Sequence, residues 1–392
     1  MCRRTRLLVV FEGVSFSGKI FENTLYLYVT LPFIVGFEKG DCFMKITEVA
    51  KKLETTPRTI RFYEEKGLIS PGKASNGYRM YTEEEVKDLR TILALREVGL
   101  STKEIKKALE QNDDFTDYLH TQRSLLYEEM IQIRDMVATI DCMVGRSGQA
   151  GKEEQMMNMA RELKGLKVKR TSWKDRWNFD DQAEDYDNNI KTTGYRFNVH
   201  EHYEEALAKA HRWVNASSGE RGVDIGAGTG NLTGLFLSQG ISMIAVDQSK
   251  EMLKMCAKKH PETETRLGHF LSLPLNDKET EFVVSSYALH HLTDEEKELA
   301  LAEMDRVLGE KGRVVIADLM FRDASDREDV LRTYQESGNV EAVEAIEDEY
   351  YADRSRLIRW WESHGYDVKV HQFNSILHLL FAQKVERRSP NE

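Results

Sequence analysis

The sequence predicts a multidomain protein: an α-rich, winged helix-turn-helix head, a long connecting helix and a C-terminal α/β domain of Rossmann-like type. Three observations predict it. Two short helix patterns and a hairpin signal lie within residues 44–111, an apolar ladder runs from Leu119 to Val144, and a glycine-rich turn joins two apolar strands at 222–246. A chain of 392 residues has room for two or three hydrophobic cores.

The net charge of the chain is −11, but it is unevenly distributed. Residues 44–110 contain 14 Lys or Arg and 11 Asp or Glu, whereas residues 111–392 contain 36 and 51. A weakly basic head on an acidic body favours phosphate contact at the head alone.

The four cysteines lie outside any CxxC or Cys/His cluster, which indicates no disulfide framework, no metal site and a reducing cytoplasm. No apolar run approaches the ~18 residues of a membrane span, so no membrane partner is expected.

Residues 1–43 are expected to be a translated leader that is disordered. Their arginines and interrupted apolar run resemble a signal peptide, but no small-residue cleavage site follows. The codons AAA-GGA-GAT for Lys39-Gly40-Asp41 would form a bacterial ribosome-binding site just ahead of Met44. Met44 is therefore the expected natural start.

The head, residues 44–111, begins with two short helix patterns. Thr47 is the predicted N-cap of a helix at 48–53. Thr56-Pro57 is a typical second helix start, and that helix is expected to end at Gly67 with Ile60 and Tyr63 on its buried side. Two short helices joined by a tight turn are typical of helix-turn-helix DNA binding.

A wing and two further helices are predicted behind these. Ser75-Asn76-Gly77 is a hairpin-turn signal, and 78–81 would be the wing strand. Thr82 with Glu85 and Ser101 with Glu104 have the spacing of capping boxes, so each pair predicts a helix start.

The blocks TPRTIRFYEEKGLISP and NGYRMYTEEEV, in this order and at this separation, resemble the mercury-resistance-regulator (MerR) family from Lys45 to about Glu110. The resemblance implies that the recognition helix enters the major groove of double-stranded promoter DNA, with RNA polymerase as a partner at the promoter. It places groove contacts at Arg58, Thr59 and Arg61, and backbone contacts at Tyr63, Tyr78 and Arg79. The turn departs from the family, with Glu54-Thr55 in place of Gly-Val. A solvated basic helix without a partner is the alternative.

Residues 112–144 are predicted to form a coiled-coil dimerisation helix. Its ladder alternates steps of four and three and is interrupted by Arg123; its members are Leu119, Leu126, Met130, Ile133, Val137, Ile140 and Val144. The MerR resemblance implies a homodimer, and packing within the same chain is the alternative. Residues 145–175 are expected to be a linker, flexible in composition at 145–151 and partly helical at 152–169.

A nucleotide-type cofactor site is predicted in the C-terminal domain. A strand at 222–225 runs into Gly226, Gly228 and Gly230, a helix follows, and a second strand at 241–246 ends at Asp247. The glycines allow a ligand to approach the backbone, and Asp247 is placed to accept hydrogen bonds from a ribose. Further strands at 282–286 and 313–317, with a helix at 294–308 between them, indicate a parallel sheet with both faces covered.

The spacing DxGxGxG, the segment Phe179-x3-Ala183-x2-Tyr186-Asp187 and the run SSYALHHLTD at 285–294 resemble the class I S-adenosylmethionine-dependent methyltransferases. Residues 178–384 resemble most the YrrT-like family, which implies a seven-stranded domain at 176–388 with terminal strands at 366–371 and 376–383. The resemblance implies S-adenosyl-L-methionine as cofactor. It assigns cofactor contacts to Tyr186, Asp224, Gly226, Gly228, Gly230, Asp247, Gln248, Met252 and His269. His269 replaces a usual Asp.

His290 and His291 follow the fourth strand and are the predicted catalytic residues, as a base for a protonated acceptor. Packing at the strand end is the alternative. The run SSYALHHLTD at 285–294 does not contain the residue patterns of DNA-methylating enzymes, so a small-molecule methyl acceptor is expected. Two functions stay open: a transcription regulator fused to an active methyltransferase, or a regulator whose second domain only senses the cofactor or its product.

Overall fold

The computed structural model describes residues 10–11, 14–21, 24–29, 43–73, 77–111, 115–145, 152–171, 176–192 and 196–385. They divide into two compact units, residues 1–97 with 101–109, and residues 98–100 with 110–392. Residues 75 and 76 of the predicted hairpin turn lie outside the described residues. None of the helices in the described ranges combines the length and apolar composition that crossing a bilayer requires.

The first unit begins with a small antiparallel sheet within 1–43. Its strands are β1 (Val10–Phe11), β2 (Val14–Phe21) and β3 (Thr24–Val29), in that order across the sheet. These strands suit the local composition, because a run such as TLYLYV is rich in β-branched and aromatic strand formers. That residues 1–43 are a translated leader stays a prediction.

The head consists of four helices and a three-stranded sheet of order β4-β6-β5. The elements in chain order are β4 (Met44–Lys45), α1 (Ile46–Lys52), α2 (Pro57–Glu65), β5 (Gly72–Lys73), β6 (Arg79–Tyr81), α3 (Glu83–Glu97) and α4 (Thr102–Gln111). Strands β5 and β6 are the predicted wing, and they pair antiparallel with Gly72 opposite Met80. Strand β4 was not predicted; its two residues pair with the far side of β6.

The helix starts follow local capping chemistry. The Thr59 amide donates to the Thr56 hydroxyl at 3.1 Å, and the amides of Glu85 and Glu104 donate to the predicted caps Thr82 and Ser101 at 3.2 Å each. The predicted N-cap at Thr47 is wrong. Helix α1 already begins at Ile46, because the Glu48 carboxylate reaches back to accept from the Lys45 amide at 2.7 Å.

The second unit begins with two long helices, α5 (Thr116–Gly145) and α6 (Lys152–Thr171). Helix α5 packs against α6 and the edge of the α/β domain, where Ile131 is fully buried. The apolar ladder is instead open to solvent in the single chain, since Leu126, Ile133 and Val137 are about half exposed. Arg123 interrupts the ladder because its guanidinium donates to the Thr265 carbonyl at 2.7 Å.

The α/β domain alternates strands and helices, as the sequence predicts. Its helices are α7 (Phe179–Gln182), α8 (Tyr186–Asn189), α9 (Tyr203–Val214), α10 (Asn231–Leu237), α11 (Lys250–Lys259), α12 (Asp294–Val307), α13 (Ala324–Glu336), α14 (Val340–Asp348) and α15 (Arg354–Ser363). Its strands are β7 (Arg221–Ile225), β8 (Ser242–Asp247), β9 (Glu264–Leu267), β10 (Thr280–Ser286), β11 (Leu308–Phe321), β12 (Ala352–Asp353), β13 (Tyr366–Gln372) and β14 (Leu377–Lys384).

Seven of these strands form one sheet in the order β13-β14-β11-β10-β7-β8-β9, and short β12 pairs with the end of β11. The sheet is not wholly parallel, since β14 runs antiparallel to both neighbours. Apolar clusters cover both faces: one contains Phe236 and Phe282, the other Val283 and Trp361. The carboxyl ends of β7, β8 and β10 therefore open at one edge, where α/β sheets bind ligands.

Candidate cofactor cleft and DNA-binding surface

The glycine turn after β7 is held by hydrogen bonds that its backbone amides donate to residues of β8. The Gly226 amide donates to the Val246 carbonyl at 2.8 Å, and the Gly228 amide donates to Asp247 Oδ2 at 2.8 Å. Both glycines have positive φ angles, +71° and +54°. A Cβ on Gly226 would lie 2.4 Å from the Ala288 Cβ, so only glycine fits this position.

A cleft lies beside this turn. It brings together eight predicted site residues from five separate segments: Tyr186, Gly226, Gly228, Asp247, Gln248, Met252, His269 and His291. Phe179, Phe270, Tyr287 and Ala288 also line the cleft. Apolar walls with few polar groups are typical of small-molecule sites.

Three predicted site residues do not line the cleft, and their assignment stays a prediction. Gly230 begins α10 with φ +83°, and a Cβ there would meet Cys256 Sγ at 2.6 Å, so it serves close packing. Asp224 is fully buried beneath the turn, with Oδ2 accepting from the Thr233 hydroxyl at 2.8 Å. His290 is the third.

Polar groups at the cleft fit S-adenosylmethionine. Asp247 Oδ1 accepts from the Ser249 amide at 2.9 Å, and a carboxylate at this position is a suitable acceptor for ribose hydroxyls. Asp224 Oδ1 is buried without a hydrogen-bond partner among the described residues, and burial raises the Asp224 pKa to about 7. A cationic amino group reaching it would satisfy that oxygen. Burial also raises the Tyr186 pKa to about 12, so its hydroxyl stays protonated.

His290 and His291 differ sharply in environment. His290 Nδ1 lies 2.5 Å from Asp318 Oδ1, and its Nε2 lies 3.3 Å from Glu349 Oε2. Burial opposes charge on His290, but the Asp318 carboxylate outweighs it and raises the His290 pKa. Burial, together with the neighbouring His290, lowers the His291 pKa to about 2. The ring of His291 packs on Trp177 with centroids 4.3 Å apart.

Asp318 and Glu349 were missed by sequence reasoning. Asp318 is fully buried near the carboxyl end of β11, where it also accepts from the amides of Ala288 at 3.0 Å and Leu289 at 2.6 Å. A lone acid inside the apolar run VVIADLMF was a usable signal. Glu349 follows α14 in an acidic stretch, and nothing in the sequence distinguishes it from its neighbours.

In the head, α2 presents most of the predicted DNA contacts. Arg58 and Arg61 are exposed, Thr59 is half-buried, and Tyr78 on the wing is 70% exposed. Tyr63 is only 5% exposed, as its place on the apolar stripe predicts, so little of it is open to a phosphate. Arg79 pairs with Glu64 through Nε and Oε2 at 2.6 Å. Glu54 occupies the left-handed region with φ +50°, at the turn where the family's usual glycine is replaced.

Comparison with known proteins also separates the head from the C-terminal α/β domain. The family model for MerR HTH family regulatory proteins matches residues 44–112, and a methyltransferase-domain model matches residues 223–316. An uncharacterized methyltransferase of Alkaliphilus oremlandii is 32% identical over 207 residues, which are 53% of this chain and 95% of that protein. The uncharacterized methyltransferase YrrT of Halobacillus halophilus is 31% identical over 42% of this chain and 77% of its own length.

The glycine turn, the cleft and these relatives identify the C-terminal half as a methyltransferase domain. The family match at residues 44–112 identifies the head. The chain belongs to the YrrT-like family of S-adenosylmethionine-dependent methyltransferases and carries a MerR-type helix-turn-helix domain ahead of the methyltransferase domain.

Proposed function

We propose that this protein methylates a small molecule and regulates transcription from promoter DNA, with the state of the cofactor cleft coupled to the DNA-binding dimer. The observation that carries the proposal is the packing of α5 and α6 against the cleft segment 264–273. Those two helices connect the head to the methyltransferase domain in the chain. Binding at the cleft therefore acts on the connection itself.

Cofactor binding is assigned to the lining residues described above. S-adenosylmethionine supplies an electrophilic methyl group on a sulfonium, so the protein has mainly to align a nucleophile and exclude water. Asp247 would hold the ribose, and the glycine turn would lie along the methionine part. Phe179 and Tyr186 border the cleft and would exclude water. The acceptor would enter beside His291 and Tyr287, at the end of β10.

Dimerisation is assigned to the exposed apolar ladder of α5. This ladder would pack against the same ladder in a second copy of the chain. Leu126, Ile133, Val137 and Val144 are 49%, 56%, 51% and 66% exposed. Their alternating spacing of four and three is that of a coiled-coil seam. The opposite side of α5 is already occupied by the methyltransferase domain. A dimer presents two heads, which suits an operator with two-fold symmetry.

The contacts between the helices and the cleft form a continuous set. Asp135 on α5 pairs with Arg170 on α6 at 3.2 Å, and Arg170 in turn donates to the carbonyl of Leu271. Glu128 on α5 lies 3.8 Å from His269 Nε2 at the cleft wall. Burial, and then Arg170, lowers the His269 pKa to about 4, so this contact is polar rather than ionic at neutral pH. A ligand that displaces His269 would move groups packed on α5.

A second candidate is a sensor that binds the cofactor without turnover. One observation favours it: neither histidine is set up to act as a general base at neutral pH. His290 is held between two carboxylates, and His291 has a strongly lowered pKa. An acceptor that needs a strong base would not react here. An acceptor that is already nucleophilic would.

The test uses full-length protein with methyl-labelled S-adenosylmethionine and a metabolite extract. Label recovered in a small molecule supports the enzyme, and label recovered only in unreacted cofactor supports the sensor. Asp247→Ala serves as the control that cannot hold the ribose. In parallel, transcription from the protein's own promoter is measured with and without cofactor or demethylated product. Identical output in all conditions would contradict the coupling.

A further inference from the structure

His290, His291 and Glu349 form a cluster beside the cofactor cleft. Their ligand atoms all lie within 4.8 Å of one another. Glu349 Oε2 is 3.3 Å from His290 Nε2, and Glu349 Oε1 is 3.9 Å from His291 Nδ1. Two of the three come from one turn after β10, while Glu349 comes from the segment between α14 and β12.

We propose that these three side chains bind a divalent transition metal ion of the zinc type. Two imidazole nitrogens and a carboxylate form a ligand set that zinc accepts, and three protein ligands leave a fourth position open. Zinc–ligand distances of about 2.0–2.1 Å imply ligand separations of roughly 3.4 Å in a tetrahedral site. The separations of 3.3 and 3.9 Å given above involve the two different oxygens of Glu349 and lie near that value, and with one ligand atom per residue all separations are within 4.8 Å.

The surroundings of His290 match those of a metal-binding histidine. Ligating histidines donate their other ring N–H to a carboxylate or carbonyl, which fixes the ring and the tautomer. His290 Nδ1 lies 2.5 Å from Asp318 Oδ1, so Nε2 is directed toward Glu349. Asp318 is itself fixed, since it accepts three backbone amides: those of Ala288, Leu289 and Leu319.

His291 supplies the second observation. Its Nδ1 is buried and has no hydrogen-bond partner among the described residues. A buried imidazole nitrogen without a partner carries an uncompensated desolvation cost, which coordination would remove. Glu349 is held beside it because the next amide, that of Tyr350, donates to the His290 carbonyl at 3.0 Å. Side-chain rotation of Glu349, which is 23% exposed, can close the set.

An alternative without metal is a protonated His290 bridging Asp318 and Glu349. That arrangement explains His290 but leaves His291 Nδ1 without a hydrogen-bond partner among the residues that the structure describes. A metal ion uses all three groups at once. Because His291 also lines the cleft, the open position would lie on the acceptor's side and could hold a thiol or hydroxyl of the acceptor, lowering its pKa. That role rests on the proposed methyl transfer, whereas metal binding does not.

The test measures metal binding by tag-free, full-length protein. After treatment with a chelator and its removal, calorimetry with Zn²⁺ and the visible spectrum with Co²⁺ report stoichiometry and coordination. We expect one equivalent per chain and a tetrahedral Co²⁺ spectrum. Glu349→Gln and His291→Ala should each weaken Zn²⁺ binding at least ~100-fold, and exposed Glu347→Gln should not change it. Asp318→Asn should weaken it about 10- to 100-fold.

Binding of S-adenosylmethionine is measured on the same samples, and this separates the two proposals. Variants that lose zinc but keep cofactor affinity are folded, so the loss is specific to the cluster. Zinc binding below one tenth of an equivalent in the parent, or unchanged zinc affinity in both Glu349→Gln and His291→Ala, would overturn the metal site. If the parent protein binds zinc but does not bind S-adenosylmethionine, that result would instead count against the proposed function.

Discussion

Arg170, near the end of the second connecting helix, donates a buried hydrogen bond to the carbonyl of Leu271, two residues beyond His269 of the cofactor cleft. The guanidinium is 7% exposed and also lies 3.2 Å from Asp135 and 3.5 Å from Glu303. A buried cation with several partners is costly to disturb. It therefore ties the connecting helices firmly to the wall of the cleft.

Arg170→Met should uncouple the head from the cleft. The variant keeps the apolar length of the side chain but removes the link between Asp135 and Leu271. If coupling is reciprocal, the parent should bind cofactor with different affinity in the presence and absence of operator DNA, and the variant should not. Calorimetry with and without DNA measures this. Arg161→Met, exposed on the same helix, is the matched control, and a variant that retains the parental difference would count against this route.

Asp247→Ala should weaken S-adenosylmethionine binding by about 2–4 kcal/mol, or roughly 30- to 1000-fold. The carboxylate is buried, so ribose hydroxyls lose charge-assisted hydrogen bonds that water does not replace. The amides of Gly228 and Ser249 also lose their acceptor. Calorimetry on the folded variant gives the change. The exposed Glu251→Ala, on the helix that follows, should bind like the parent.

Val137→Glu should dissociate the proposed dimer. The side chain is 51% exposed in the single chain, so a carboxylate costs little there, but it would be buried between two copies. Ala138→Glu, at the adjacent exposed position off the ladder, is the control. Sedimentation velocity at several concentrations distinguishes monomer from dimer. Dimers of unchanged stability in the Val137 variant would exclude this face as the interface.

Arg58→Ala and Arg79→Ala should affect DNA binding differently. Loss of Arg58, exposed on α2, should relax the preference among operator sequences. Loss of Arg79 should weaken binding to all sequences, but its pairing with Glu64 means that the salt dependence should fall by no more than about one unit. Titrations at several salt concentrations with operator and scrambled duplexes measure both. A sequence-selective effect of Arg79→Ala would contradict its assignment as a backbone contact.

The stability of the methyltransferase domain should fall as the pH drops from about 6.5 towards 4. Burial lowers the pKa of His200 and His269 to about 4, and burial together with Arg354 lowers that of His378 to about 3. The unfolded chain takes up these protons first, so each such histidine costs about 1.4 kcal/mol per pH unit in that window. Urea unfolding at pH 7 and pH 5 tests this. His378→Asn should flatten the dependence, and a pH-independent midpoint in the parent would contradict it.

Local patterns determined much of this molecule from sequence alone. The caps at Thr56, Thr82 and Ser101, the wing strand and the glycine turn involve residues within a few positions of each other, so their chemistry can be read directly. The order of the central strands and helices in the α/β domain followed from apolar periodicity, and the two terminal strands followed from the family resemblance. The eight cleft residues were assigned by motif, because the motif is itself a local backbone shape with an acid at the next strand end.

Only the tertiary structure decided the contacts between distant segments. In the structure, Asp224, Gly230 and His290 do not line the cleft. Strand β14 runs antiparallel to β11, and Glu349 lies beside the two histidines. The tertiary structure also packed one side of α5 on the methyltransferase domain and left the ladder exposed. The physical reason is that periodicity reports whether a residue is buried, but not which partner buries it. Partners are chosen by how whole elements pack, and packing joins residues that are far apart in the chain.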